Sequence, residues 1–137
     1  MTTIDHIIIA VPDLAEANAD YSALLGRAPS WRGVHPDYGT ANTLFKLDNT
    51  YIELLAPQGK GMAADIVNDI LNARGPCLGG LVFGTESADE FISHARSTGL
   101  EASDPVPGHG VDEQTGTERR WRNIFWDPSA ARGIFSF

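Results

Sequence analysis

The stretch Ile4-Asp5-His6-Ile7-Ile8-Ile9-Ala10-Val11, closed by Pro12-Asp13, decides how the rest of the chain is read. Ile7, Ile8, Ile9 and Val11 are β-branched and apolar, which suits a buried strand over Ile4 to Val11. Pro12 stops that strand, and Asp13 takes the N-cap position of the helix that follows. The helix runs to about Leu25, with Leu14, Ala17, Tyr21, Leu24 and Leu25 at core-facing spacing, and Gly26 ends it. Three strands come next: Ala28 to Val34, Thr40 to Leu47 and Tyr51 to Ala56. The turns His35-Pro36-Asp37-Tyr38-Gly39 and Asp48-Asn49 separate them. The order is β-α-β-β-β.

A helix over Met62 to Ala73 then reads as a connector, broken by Gly75-Pro76, and the pattern restarts. Leu78 to Thr85 is an apolar strand, Ser87 caps a helix running to Thr98, and Gly99 ends it. Laid over one another at an offset of 74 positions, the two halves match strand to strand and helix to helix, with His6 falling on Gly80. Extended segments follow at Ala102–Val106, Thr117–Trp126 and Gly133–Phe137, with Pro107 to Gly116 read as a polar loop. Repetition on this scale points to two units that complete each other's core. The expected class is α+β: two βαβββ modules paired into an open, curled barrel around one pocket. Residues 1–57 form the first module, 58–77 the connector and 78–137 the second module.

Composition narrows the partners. A formal charge of −8 repels nucleic-acid backbones and anionic lipid. No run reaches the ~18–20 apolar residues of a membrane-spanning helix. The start of the chain lacks the pattern of a secretory signal, and the lone Cys77 forms no internal disulfide, so a cytoplasmic location is expected.

Glu53 stands inside the apolar strand Tyr51-Ile52-Glu53-Leu54-Leu55. A buried carboxylate needs a cation, a hydrogen-bond donor or solvent. If the sheet curls, the face carrying His6, Ile8 and Ala10 meets the face carrying Tyr51, Glu53 and Leu55. An imidazole and a carboxylate so placed suit a divalent metal, although His6 also reads as a half-buried histidine satisfied by one hydrogen bond. Arg119, Arg120 and Arg122 crowd one predicted strand. Alternation puts Arg120 and Arg122 on one face, with Trp121 and Phe125 on the other. Facing the pocket, the two arginines would hold a carboxylate or phosphate; facing out, they form a solvated basic edge. His35 and His109 fall in polar turns, and His94 on the surface of the second helix.

Together with Asp20-Tyr21-Ser22-Ala23-Leu24-Leu25-Gly26, Gly39-Thr40-Ala41-Asn42-Thr43-Leu44-Phe45 and Arg119-Arg120-Trp121-Arg122-Asn123, these segments resemble the vicinal oxygen chelate superfamily. That superfamily includes glyoxalase I, bleomycin-resistance proteins and extradiol dioxygenases, and the match is closest to glyoxalase-like domains. The resemblance implies a divalent ion (Zn, Ni, Fe, Mn or Mg) in the cup, acting as a Lewis acid on a small oxygenated or anionic compound. It makes His6 and Glu53 metal ligands, Glu53 also catalytic, and leaves Asn42, Arg120 and Arg122 to orient the substrate. Gly80 stands where many members carry a second-module histidine, and the last-strand acid would fall just beyond Phe137. The expected function is a lyase, isomerase or dioxygenase type of metalloenzyme. The alternative is a metal-free protein that sequesters a small ligand. A homodimer is expected in either case.

Overall fold

The computed structural model describes residues 2–127, 129–130 and 135–136. The strands are β1 (Thr3–Ala10), β2 (Trp31–His35), β3 (Thr40–Lys46), β4 (Tyr51–Pro57), β5 (Cys77–Gly84), β6 (Val106–Asp112), β7 (Glu118–Asn123) and β8 (Phe135–Ser136). The helices are α1 (Leu14–Leu25), α2 (Met62–Arg74) and α3 (Ala88–Ser97). The strands form one mixed sheet in the order β7-β6-β2-β3-β4-β1-β5-β8. Within the first module β4 returns beside β1 in parallel, and in the second β8 lies parallel to β5. The modules join through the antiparallel pairs β1–β5 and β2–β6. The expected α+β architecture of two βαβββ modules is what the chain adopts.

Helix α1 starts where Asp13 accepts hydrogen bonds from the amides of Ala15 and Glu16, at 2.7 and 3.0 Å. It ends at Gly26, whose φ of 64° is the left-handed conformation that glycine adopts without strain. Helix α3 repeats the device, with the Ser87 hydroxyl accepting from the amide of Glu90.

Alternation along the strands sorts side chains onto two faces. Phe45, Leu54 and Ala56 pack with Val11 and Ala17 beneath α1, and Ile9 and Ile52 join them. Ile8, Ala10 and Leu55 turn the other way and meet Val67 of α2. His6 and Glu53 have the same parity as this second set, so both side chains point toward the hollow of the sheet.

The second module departs from the sequence reading in one segment. Residues expected as a loop from Pro107 onward form β6, which pairs with β7 from Val106↔Asn123 to Val111↔Glu118. Pro107, Gly108 and Gly110 lower strand propensity there, but the glycines leave room for an indole. A Cβ on Gly108 would sit 2.1 Å from Trp121 Nε1. Ala102 makes only an isolated bridge to Trp126, and β2 and β7 are shorter than expected. Of the predicted last strand, Phe135–Ser136 pairs with β5; the rest lies outside the described residues. No helix among the described residues is long and apolar enough to cross a membrane.

Candidate functional site

A diagonal of side chains crosses the concave face. In the register of β1 with β4, Ile8 lies opposite Glu53 and Tyr51 opposite His6, which makes His6 and Glu53 diagonal neighbours. The same offset relates Glu53 to Asn42 on β3, and Asn42 to Trp31 on β2. Diagonal neighbours on twisted strands are within reach of long side chains. Each of these pairs is hydrogen bonded. His6 Nε2 meets Glu53 Oε2 at 3.0 Å, Asn42 Nδ2 donates to Glu53 Oε1 at 2.7 Å, and Trp31 Nε1 donates to Asn42 Oδ1 at 3.2 Å. Glycine makes the last step possible, because a Cβ on Gly33 would lie 2.5 Å from the Trp31 indole nitrogen.

His6 is held from its other side as well. Its Nδ1 lies 2.6 Å from Asp5 Oδ1, which also accepts a hydrogen bond from the Tyr51 hydroxyl at 2.9 Å. The Tyr51 ring stacks on the imidazole, with centroids 4.3 Å apart. Both ring nitrogens of His6 therefore face carboxylates, which only accept, and that geometry calls for the imidazolium. Burial alone would push the His6 pKa down, but the hydrogen bonds and charges of Glu53 and Asp5 outweigh it and raise it. Burial would raise Glu53; the His6 hydrogen bond and charge, then His35 and the Asn42 amide, bring it below the usual carboxylate value. With His6 protonated, Glu53 and His6 make a part-buried ion pair.

These groups line a cavity of about 580 Å³ together with Trp31, His35, Arg119 and Trp121. His35, expected in a turn, is the last residue of β2 and is 7% exposed. Its Nδ1 lies 2.9 Å from Thr40 Oγ1, and the Trp121 ring meets its edge at a centroid distance of 5.5 Å. Burial, then the charges of His6 and His109, lower its pKa against the opposing pull of Glu53. A histidine kept neutral by folding is protonated more readily in the unfolded chain. Its contribution to stability is therefore lost as pH falls below about 6.5 toward the folded-state value. His6 has the opposite sign: its contribution is present in acid and lost as pH rises through its raised value. The stability of the native chain minus that of His35→Gln isolates the first effect. Urea titrations at a series of pH values should show that difference shrinking toward acid; a flat difference would show that His35 titrates normally in the fold.

All three arginines border the cavity, but Arg122 makes two hydrogen bonds to Asp89 of α3, at 3.2 and 3.0 Å, and Arg120 pairs with Glu118 at 3.1 Å. Trp121, expected to turn away, is the residue that faces His35. Arg119 and Trp121, two residues apart on β7, share the side of the strand opposite to Arg120 and Arg122. Asn42, expected to touch substrate, lines the cavity and uses its amide to join Glu53 and Trp31. Asp5 and Trp31 were not singled out from sequence, while Tyr51, Arg119 and Trp121 were noted only for the face or strand they share; the pairs Trp31/Gly33 and Gly108/Trp121 were the available signals.

The glyoxalase-like domain family matches this chain over residues 4–137. The chain belongs to that family. The resemblance to the vicinal oxygen chelate superfamily is thereby borne out. A 58-residue segment of this glyoxalase-like domain is 43% identical to the ethylmalonyl-CoA/methylmalonyl-CoA epimerase of Cereibacter sphaeroides, covering 42% of this chain and 43% of that enzyme. Human mitochondrial methylmalonyl-CoA epimerase is 40% identical over 57 residues, 42% of this chain and 32% of the enzyme. The match thus spans less than half the length of either relative. Among solved structures, a Streptomyces coelicolor methylmalonyl-CoA epimerase variant superposes with a TM-score of 0.79 at 24% identity, over 99% of this chain and 92% of its own. The Mycobacterium tuberculosis enzyme superposes with a TM-score of 0.77 at 25% identity, over 97% and 83%. At these identities the likeness speaks for the fold.

A metal in this glyoxalase-like domain would need three or four protein donors. His6 and Glu53 supply two, and they are hydrogen bonded to each other. Gly80, opposite Ile8 on β5, offers no side chain. No group of three His, Cys, Asp or Glu residues suited to a metal exists among the described residues. The expected last-strand acid falls outside them. The donor set shown does not fit a complete metal site.

Proposed function

We propose that this glyoxalase-like domain is an isomerase-type enzyme that moves a proton at a carbon next to the carbonyl group of an acyl thioester. The observation that carries the reading is the Glu53–His6 ion pair in the cavity, a base and an acid 3.0 Å apart. Entry of substrate separates the two. Glu53 Oε2 takes the proton, the C–H bond breaks, and its electron pair moves toward the carbonyl to form an enolate. His6 donates from Nε2 to the enolate oxygen, where a preorganised cation away from water stabilises developing charge most effectively. The enolate turns over in the cavity, and return of the proton from Glu53 to its opposite face reforms the C–H bond with inverted configuration, leaving Glu53 again a carboxylate. Asn42 and Asp5 keep the two groups aimed at the cavity. No step is assigned to a metal, because the described donors stop at two.

Two comparisons support this choice over lyase or dioxygenase chemistry. The local relatives are named as epimerases, and structural neighbours were solved with 2-nitronate-propionyl-CoA and with methylmalonyl-CoA. Incubation with propionyl-CoA and with methylmalonyl-CoA in D2O, followed by NMR, should show deuterium entering at C2. Parallel samples with EDTA report whether a divalent ion joins the pair. If neither thioester exchanges faster than in buffer, the enzyme reading fails. Gly80 at the expected third-donor position favours a second reading, a metal-free binding protein for a small ligand. That reading requires ligand-induced thermal stabilisation, unaffected by EDTA, with no exchange.

A further inference from the structure

Arg119 differs from its neighbours in how its charge is used. Arg120 and Arg122 are spent on Glu118 and Asp89. Arg119 borders the cavity, has no ion pair among the described residues, and lies over the Trp31 ring with Cζ 4.2 Å from the centroid. The nearby acid Asp112, whose charge interacts with that of Arg119 without an ion-pair contact, turns its Oδ1 to the amides of Gln114 and Thr115 and to the Thr115 hydroxyl. In a chain of net charge −8, a cavity-lining arginine that makes no ion-pair contact among the described residues is an exception to the surrounding pattern. Its seat is rigid, because Trp31 is 8% exposed and tied through its indole nitrogen to Asn42. Placing a guanidinium over an aromatic face leaves its in-plane N–H donors available, and their fork matches a planar carboxylate.

We propose that Arg119, seated on Trp31, binds a carboxylate of the substrate at a subsite remote from Glu53. The inference rests on, and deepens, the acid–base reading of the same cavity. Trp31 and Glu53 stand on strands β2 and β4 with β3 between them. Two strand spacings separate the subsite from the reacting carbon by roughly 10 Å. The substrate is accordingly an acyl compound whose carboxylate lies several bonds beyond the carbon that loses its proton. A single arginine opposite Asp5 and Glu53 suits a monoanion better than a phosphate dianion, because the other arginines bordering the cavity among the described residues, Arg120 and Arg122, are paired with Glu118 and Asp89.

Monomethyl adipate, with one carbonyl ester and one carboxylate, is the probe; dimethyl adipate and inorganic phosphate are its comparisons. The indole N–H signals of Trp31, Trp121 and Trp126, assigned by Trp→Phe variants, provide the readout. Monomethyl adipate should shift the Trp31 signal in native protein, and the dimethyl ester should not. Arg119→Met should weaken that binding by about tenfold or more, as loss of a charged hydrogen-bond pair does. Arg119→Lys should fall between, and Arg96→Met, on the surface of α3, should bind as native. Retained Trp121 and Trp126 signals show that the Arg119 variants are folded. Equal affinity in Arg119→Met, binding of the dimethyl ester, silence of monomethyl adipate in native protein, or binding of phosphate alone would each overturn the proposal. Glu53→Gln separates the two readings. Carboxylate binding without proton exchange on any thioester removes the proposed enzyme and leaves the subsite; exchange on a thioester that carries a carboxylate several bonds from the reacting carbon, unchanged in Arg119→Met, removes the subsite and leaves the enzyme.

Discussion

Glu53→Gln should lower the rate of deuterium exchange at C2 by about 10²- to 10⁴-fold, the range that a positioned general base contributes. The amide keeps the shape of the side chain and its reach to Asn42 and His6, but it cannot accept a proton from carbon. The comparison of kcat with KM sharpens the result. A base acts in the transition state, so kcat should fall while KM changes little. The variant should still melt cooperatively, because Glu53 belongs to the concave face and the core beneath α1 is untouched. Full exchange activity in a folded Glu53→Gln protein would show that another residue takes the proton.

Phe45→Ala should have the complementary profile, with a loss of about 3–5 kcal/mol in stability. Phe45 is fully buried, at 0% exposure, and packs in the cluster beneath α1 with Leu54 and Val11. Its ring lies 6.1 Å from that of Tyr21. Domains of this size are stabilised by only about 5–15 kcal/mol, so this one truncation removes a large share. Denaturation in urea with an unchanged slope would attribute the loss to the native core. The side chain points away from Asn42 and Glu53, and whatever fraction of Phe45→Ala remains folded should exchange protons at the native rate. A cost below about 1 kcal/mol would mean that the cluster closes over the gap.

Local chemistry was legible in the sequence wherever its cause is local. Asp13 and Ser87 cap α1 and α3, Gly26 ends α1, and the β-branched run of Ile7, Ile8 and Ile9 is a strand. The anomaly of Glu53 within an apolar strand was visible too, because a buried carboxylate requires a partner whatever the fold. His35 reads as part of the turn because Pro36 follows it, although the strand runs through it to that proline. From Pro107 onward proline and glycine read as turn formers, but Gly108 and Gly110 lie in β6 beside the indole of Trp121. Packing against a distant side chain overrode the local preference.

By itself, the sequence determined the repeated βαβββ order and, through alternation, which residues share a face: His6 with Ile8 and Ala10, Glu53 with Leu55. Only the tertiary structure decided which faces meet and in what register. The parallel pairing of β1 with β4 sets His6 diagonal to Glu53 across 47 positions of sequence. Arg122 pairs with Asp89 of α3, and Arg119 lies over Trp31 of β2, contacts between segments far apart in sequence. Alternation has a period of two and is written in neighbouring residues. Register and face depend on contacts between segments far apart in the chain, where no local pattern records them.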